Sequence, residues 1–211
     1  MEPKPTVFVI DDDKLSRDSM CALVSSVNLP AESYPSAEAF LSQFDPRRPG
    51  CIVVDLRMPG MSGVDLQQEL LAKGSPIPVI LISGYATTSV TVEAMRMGAI
   101  SVIDKPYRDN DLWDAISRAL KQDELQRLKL VKLSETQSRW ESLDSDERYV
   151  LDAIVEGKSN KVIAFDLNVS LRTVESRRSS IYKKTGTDSL AGLIKVAFDL
   201  KAADNGRAQA F

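Results

Sequence analysis

The feature that most constrains this chain is an alternation, over its first 120 residues, of short apolar runs with segments of helical period. The runs occupy residues 7–10, 31–34, 52–54, 77–82 and 100–103. Between the first two, Met20, Leu23, Val24 and Val27 recur at the i, i+3, i+4, i+7 spacing of an amphipathic helix. Further helices are readable at 36–44, 63–72, 87–98 and from 109. The first, third and fourth runs are apolar at nearly every position, so they must be covered on both faces. Five such strands alternating with five helices predict a doubly wound, five-stranded parallel sheet of the flavodoxin-like kind, an α/β domain over residues 1–121.

After residue 109 the pattern changes. Neither Gly nor Pro appears until Gly157, and the helical period runs through Leu112, Ile116, Leu120, Leu125 and Leu128. Residues 122–142 are expected to form a helical linker, its polar stretch lying at 133–142. Four helical segments come next, at 144–156, 160–167, 171–184 and 189–201, with no strand pattern. They predict a small all-α domain over 143–201, with a disordered tail at 202–211.

Composition narrows the chemistry. The chain holds no histidine, which excludes histidine triads, histidine metal sites and an internal phosphohistidine relay. Cys21 and Cys51 read as reduced thiols, and no apolar run is long enough to span a bilayer, so a cytoplasmic protein without membrane contact is expected. The net charge of −3 is unevenly spread. Residues 158–184 carry seven bases (Lys158, Lys161, Arg172, Arg177, Arg178, Lys183, Lys184) against Asp166 and Glu175, which suggests a polyanionic partner for that segment or simply a solvated helix face.

Each strand of the first domain except the second ends on a group with chemistry. Asp11, Asp12 and Asp13 succeed the first, Asp55 the third, Ser83 closes the fourth, and Asp104-Lys105 the fifth. Ligands of an open parallel sheet bind outside the carboxyl ends of its strands, so these groups are delivered to one edge. Clustered carboxylates repel unless a cation compensates, and a hard ion such as Mg²⁺ suits a few carboxylates and several waters. A phosphoryl group on one carboxylate would then share its oxygens among metal, ammonium and hydroxyl.

The ordered motifs V-I-D-D-D, V-V-D-L-R-M-P-G-M-S-G, L-I-S-G-Y-A and I-D-K-P-Y resemble those of the response regulator receiver domain, over about residues 5–120. The resemblance implies Asp55 as phosphoacceptor and Mg²⁺ held by Asp11, Asp12, Asp55 and the Arg57 carbonyl. It also implies Ser83 as the switch hydroxyl and Lys105 as the phosphate partner, with a sensor histidine kinase as donor. Asp13 is expected to cap the first helix. Where the family carries an aromatic ring three residues before the lysine, this chain has Val102, so a ring switch is not expected. An aspartate-dependent phosphohydrolase would need a second Asp two residues after the nucleophile, where Arg57 stands. The expectation is therefore a regulator and not an enzyme, apart from the receiver's own phosphorylation and dephosphorylation. A receiver fold that only binds, without being phosphorylated, is the third reading.

In the C-terminal part, Ser159 and Ser170 are placed to cap two helices separated by Asn168, a residue tolerant of a left-handed turn; this is the helix-turn-helix layout. On the second helix Val174 and Ile181 face inward, while Thr173, Ser176, Arg177, Ser180 and Lys184 share another face. Residues 143–178 are similar to the LuxR/FixJ-type DNA-binding domain. The resemblance implies double-stranded DNA as partner, met by Lys161, Thr173, Ser176, Arg177, Arg178, Ser180 and Lys184. RNA polymerase is a further candidate partner. The family's dimer face implies a phosphorylation-dependent homodimer through about residues 87–103.

Overall fold

The computed structural model describes residues 4–84 and 88–196. They fall into two compact units that divide after Leu128. In the first, β1 (Thr6–Ile10), β2 (Ala31–Tyr34), β3 (Gly50–Asp55), β4 (Val79–Ser83) and β5 (Ser101–Asp104) form one parallel sheet in the order β2-β1-β3-β4-β5. Helices α1 (Lys14–Ser26), α2 (Ala37–Leu41), α3 (Gly63–Ala72) and α4 (Thr88–Arg96) join successive strands, and α5 (Asp109–Glu141) comes after the last.

The two-sided burial expected of the central strands arises from their period of two. Phe8, Ile10, Ile52, Val54 and Leu81 point to one face, against Phe40, Leu66, Leu70 and Ala94. Their neighbours Val7, Val9, Val53, Ile80 and Ile82 point to the other, against Met20, Val24, Leu112, Ala115 and Ile116. No polar position is left on β1, β3 or β4 between their first and last residues, and a one-residue slip would gain nothing in burial. The register pairs Ile10 with Val54 and Asp55 with Ile82.

One helix is shorter than expected, and the expected helical linker is continuous with the helix before it. α2 ends at Leu41, three residues early: the Ser42 hydroxyl bonds back to the Ala39 carbonyl at 2.8 Å, and Pro46 cannot continue a helix. α5 runs on through the polar stretch to Glu141, since nothing in the sequence interrupts it. Its middle is tied to the sheet's amino edge. Buried Asp123 accepts the Gly50 N–H at 2.9 Å and the Arg127 guanidinium at 2.8 Å, and Arg127 donates to the carbonyls of Arg47 (2.9 Å) and Arg48 (2.5 Å).

The second unit holds α6 (Ser145–Val155), α7 (Asn160–Asp166) and α8 (Leu171–Thr185), with helix again from 190 to the last described residue, 196. The expected helix to 201 and the tail lie partly or wholly outside the described residues. Ser159 and Ser170 cap α7 and α8, and Asn168 takes the left-handed turn between them at φ 51°. Leu151, Ile154, Ile163, Val174, Ile181 and Leu193 form the core, with Trp140 packed against it.

Gly63, the first residue of α3, lies so close to β3 that a Cβ there would sit 2.6 Å from the Asp55 carbonyl oxygen and 2.8 Å from a Leu81 methyl. Gly63→Ala is expected to cost about 1–3 kcal/mol by overpacking, measured by urea denaturation. An unchanged midpoint would show that α3 can withdraw freely from the strand.

Candidate functional site

β1 and β3 are neighbours, with Ile10 paired to Val54, so Asp11 and Asp55 leave the sheet side by side. This is also where strand order reverses, β1 lying between β2 on one side and β3 on the other. Lys105 arrives from two strand spacings away, about 10 Å. Its N–H donates to the Ser83 carbonyl at 2.6 Å, and its stem carries the ammonium to Asp55 Oδ1 at 2.5 Å and Asp11 Oδ2 at 2.9 Å. Burial alone would lower the lysine's pKa, but hydrogen bonds to Asp55 and Asp11 outweigh it and hold the ammonium above its ordinary value.

The carboxylates are fixed by further donors. The Arg57 N–H reaches Asp55 Oδ2 at 2.9 Å. Asp11, only 1% exposed, accepts the Asp13 N–H on Oδ1 at 2.9 Å and the Ser16 hydroxyl on Oδ2 at 2.7 Å. Arg17 donates to its main-chain carbonyl at 2.5 Å. Asp13 is the α1 N-cap, accepting the N–H groups of Leu15 and Ser16. Ser83 is buried at the end of β4, opposite Asp104. Val102 is half-buried and packs against the core cluster around Phe8. Ser16 and Arg17 were not legible as site residues, because a polar pair in the first turn of an amphipathic helix reads as solvent-facing.

Of the four groups expected to hold a cation, the structure brings Asp11 and Asp55 together around Lys105, while Asp12 and Arg57 are exposed beside them. Among the described residues no three acidic, histidine or cysteine side chains converge tightly enough to enclose an ion alone. Such a donor set suits an ion that takes one or two carboxylates, a carbonyl and several waters, which is the preference of Mg²⁺.

In the second unit the residues expected to meet DNA divide into two groups. Ser180 donates to Glu147 Oε1 at 2.6 Å, and Lys184 to Glu147 Oε2 at 2.7 Å and to the Ser142 carbonyl at 3.2 Å. Arg177 pairs with Asp146, and Arg178 donates to Asn160 Oδ1 at 3.0 Å. These four tie α8 to α6 and α7. Thr173, half-buried, shares a hydroxyl contact with Ser170 at 2.9 Å. Ser176 and Lys161 are exposed, and so are Arg172, Ser179 and Lys183, which the sequence pattern did not single out as a face. The signal that could have found them is angular. Val174 and Ile181 fix the inward direction of α8, and at 100° per residue the opposite side is Arg172, Ser176, Ser179 and Lys183. Glu175 also faces outward.

A sheet edge carrying paired acids and a lysine, joined to a helix-turn-helix unit, defines a regulator with an input and an output domain. Residues 7–117 match the response regulator receiver domain, and residues 141–197 the LuxR family of bacterial regulatory proteins. The response regulator protein TmoT of Ectopseudomonas mendocina is 36% identical over 95% of this chain and 91% of its own length. The transcriptional regulatory protein FixJ of Bradyrhizobium diazoefficiens is 34% identical over 93% and 96%. Among solved structures, the response regulator StyR superposes with a TM-score of 0.84 at 36% identity, covering 93% of this chain and 99% of that one. The chain belongs to the FixJ-type response regulators, with a receiver domain and a LuxR-type DNA-binding domain. No helix among the described residues is long and apolar enough to cross a membrane.

Burial would raise the pKa of Glu147, but Lys184, Ser180 and the Asp144 N–H together bring it from 4.5 down to about 2. A carboxylate with a depressed folded pKa contributes stability that is complete above its unfolded value and lost as pH falls through the folded one. Glu147→Gln is therefore expected to destabilise the second unit at pH 7, with the difference from wild type shrinking between about pH 4.5 and 2. Urea unfolding monitored by Trp140 fluorescence in a Trp113→Phe background checks this, and a difference independent of pH would contradict it.

Proposed function

We propose that Asp55 accepts a phosphoryl group from the phosphohistidine of a partner sensor histidine kinase, and that this controls DNA binding and transcription by the C-terminal domain. Support for the reading comes above all from the Lys105 ammonium held between Asp55 and Asp11 at 2.5 and 2.9 Å. An Asp55 carboxylate oxygen attacks phosphorus, the phosphorus–nitrogen bond breaks, and the imidazole leaves with its proton. Asp11, Asp12, Asp55 and the Arg57 carbonyl would hold Mg²⁺, which would supply positive charge against the phosphoryl oxygens. Lys105 moves with the new acyl phosphate and neutralises one of its oxygens, and Ser83, at the end of the adjacent strand, donates to another. Hydrolysis of that group by water ends the signal and is the only turnover proposed for the chain.

On the output side, Arg172, Ser176, Ser179 and Lys183 enter the major groove. Their small hydroxyls permit close approach, while the bases, with Lys161, meet phosphates and base edges. Lys184 and Ser180 support α8 from behind. Two half-sites one helical turn apart are met by two copies, so phosphorylation is proposed to favour a homodimer, with RNA polymerase a further candidate partner.

Incubation with acetyl phosphate and Mg²⁺ should add one phosphoryl group to the wild type and none to Asp55→Asn, read by intact mass. Equal uptake by both would remove Asp55 from its role. Arg172→Ala and Lys183→Ala should each lower DNA affinity and flatten the slope of log affinity against log salt by about 0.9 for each phosphate no longer neutralised. Lys184→Met should leave the slope unchanged while lowering stability by about 1–3 kcal/mol. Fluorescence anisotropy across a salt series decides, and a flattened slope for Lys184→Met alone would return that lysine to the DNA.

A further inference from the structure

Asp11 Oδ2 has two donors of different kinds. One is the Lys105 ammonium at 2.9 Å, on a flexible stem and shared with Asp55. The other is the Ser16 hydroxyl at 2.7 Å, on the third residue of α1. Ser16 has little freedom to move, because its own N–H is bound to the N-cap carboxylate of Asp13 at 3.1 Å. The next residue, Arg17, clasps the Asp11 carbonyl. A short stretch of chain, residues 11–17, thus orients the buried acid alongside Lys105.

This matters when Lys105 is needed elsewhere. A phosphoryl group on Asp55 claims the ammonium, and Asp11 Oδ2 then loses a charged partner in a place where water scarcely reaches. A buried carboxylate oxygen left without a donor is costly, so without the Ser16 hydroxyl the lysine would be held back on Asp11 until the cation takes its place. We propose that Ser16 is a positioning residue of the phosphoacceptor site: its hydroxyl keeps Asp11 oriented and partnered, which releases Lys105 to the phosphoryl group and leaves Asp11 available to the cation. The inference rests on the reading of Asp55 as phosphoacceptor.

The test compares full-length wild type, Ser16→Ala and Ser16→Thr. Mg²⁺ affinity is measured by isothermal titration calorimetry without any phosphodonor, and phosphorylation by acetyl phosphate at saturating Mg²⁺ is tracked by intact mass. Ser16→Ala is expected to bind Mg²⁺ several-fold more weakly and to be phosphorylated about 10-fold more slowly, the size expected from one hydrogen bond to a charged group. Ser16→Thr, which keeps the hydroxyl, should restore both. Both variants are expected to keep the wild-type far-UV circular dichroism spectrum, so that a changed constant reports on the site and not on loss of the fold. Wild-type values for Ser16→Ala in both measurements, or a Thr variant as impaired as Ala, would overturn the proposal. Failure of the wild type itself to take up phosphate would count against Asp55 as acceptor, while the Mg²⁺ comparison would still decide the role of Ser16.

Discussion

The Lys105 ammonium lies between the carboxylates of Asp11 and Asp55, and much of the first domain is arranged to put it there. Two acids at the ends of adjacent strands would repel each other in a buried site. A cation is therefore a structural requirement before it is a functional one. Lysine meets the requirement from β5 because its stem bridges the width of β4, and because its point charge can be passed from one oxygen to another, which a planar guanidinium held by two parallel bonds cannot easily do. The single ammonium thus offsets one of the two carboxylate charges, on a stem that allows it to pass between their oxygens.

Supports for this pair reach into elements that have no chemistry of their own. Gly63 lets α3 approach the carbonyl of Asp55, and the Arg57 N–H fixes one oxygen of its carboxylate. The first turn of α1 fixes Asp11. At the opposite edge of the sheet, Asp123 and Arg127 bind α5 to the chain entering β3, the strand that ends in Asp55. The long helix therefore begins as part of the receiver and not as a free tether.

The fold was legible because the apolar runs of β1, β3 and β4 allow only a sheet covered on both sides, and the site was legible because each of those strands leads into a polar residue with one evident direction to point. Contacts made by residues that look like surface could not be read in the same way. Ser16 gives no periodic signal, and its bond to Asp11 depends on how α1 starts. On α8 the sequence placed Thr173, Ser176, Arg177, Ser180 and Lys184 on one polar face. Whether a polar face meets solvent or a neighbouring helix depends on Glu147, whose burial on α6 draws Ser180 and Lys184 inward. A capping box explains why a glutamate stands there: Glu147 closes the amino end of α6 with Asp144 and spends its remaining hydrogen-bonding capacity on α8.

If Lys105 is withdrawn from Asp11 when Asp55 is phosphorylated, the state of Asp55 should set the DNA affinity of the second domain. That coupling is read from the affinity of the full-length protein for an operator fragment, at fixed salt, with Mg²⁺ alone and with Mg²⁺ and beryllofluoride. A coupling of ordinary size predicts tighter binding by about 5- to 150-fold with beryllofluoride. The same affinity in both conditions, from protein shown by mass or fluorine resonance to carry the analogue on Asp55, would contradict it.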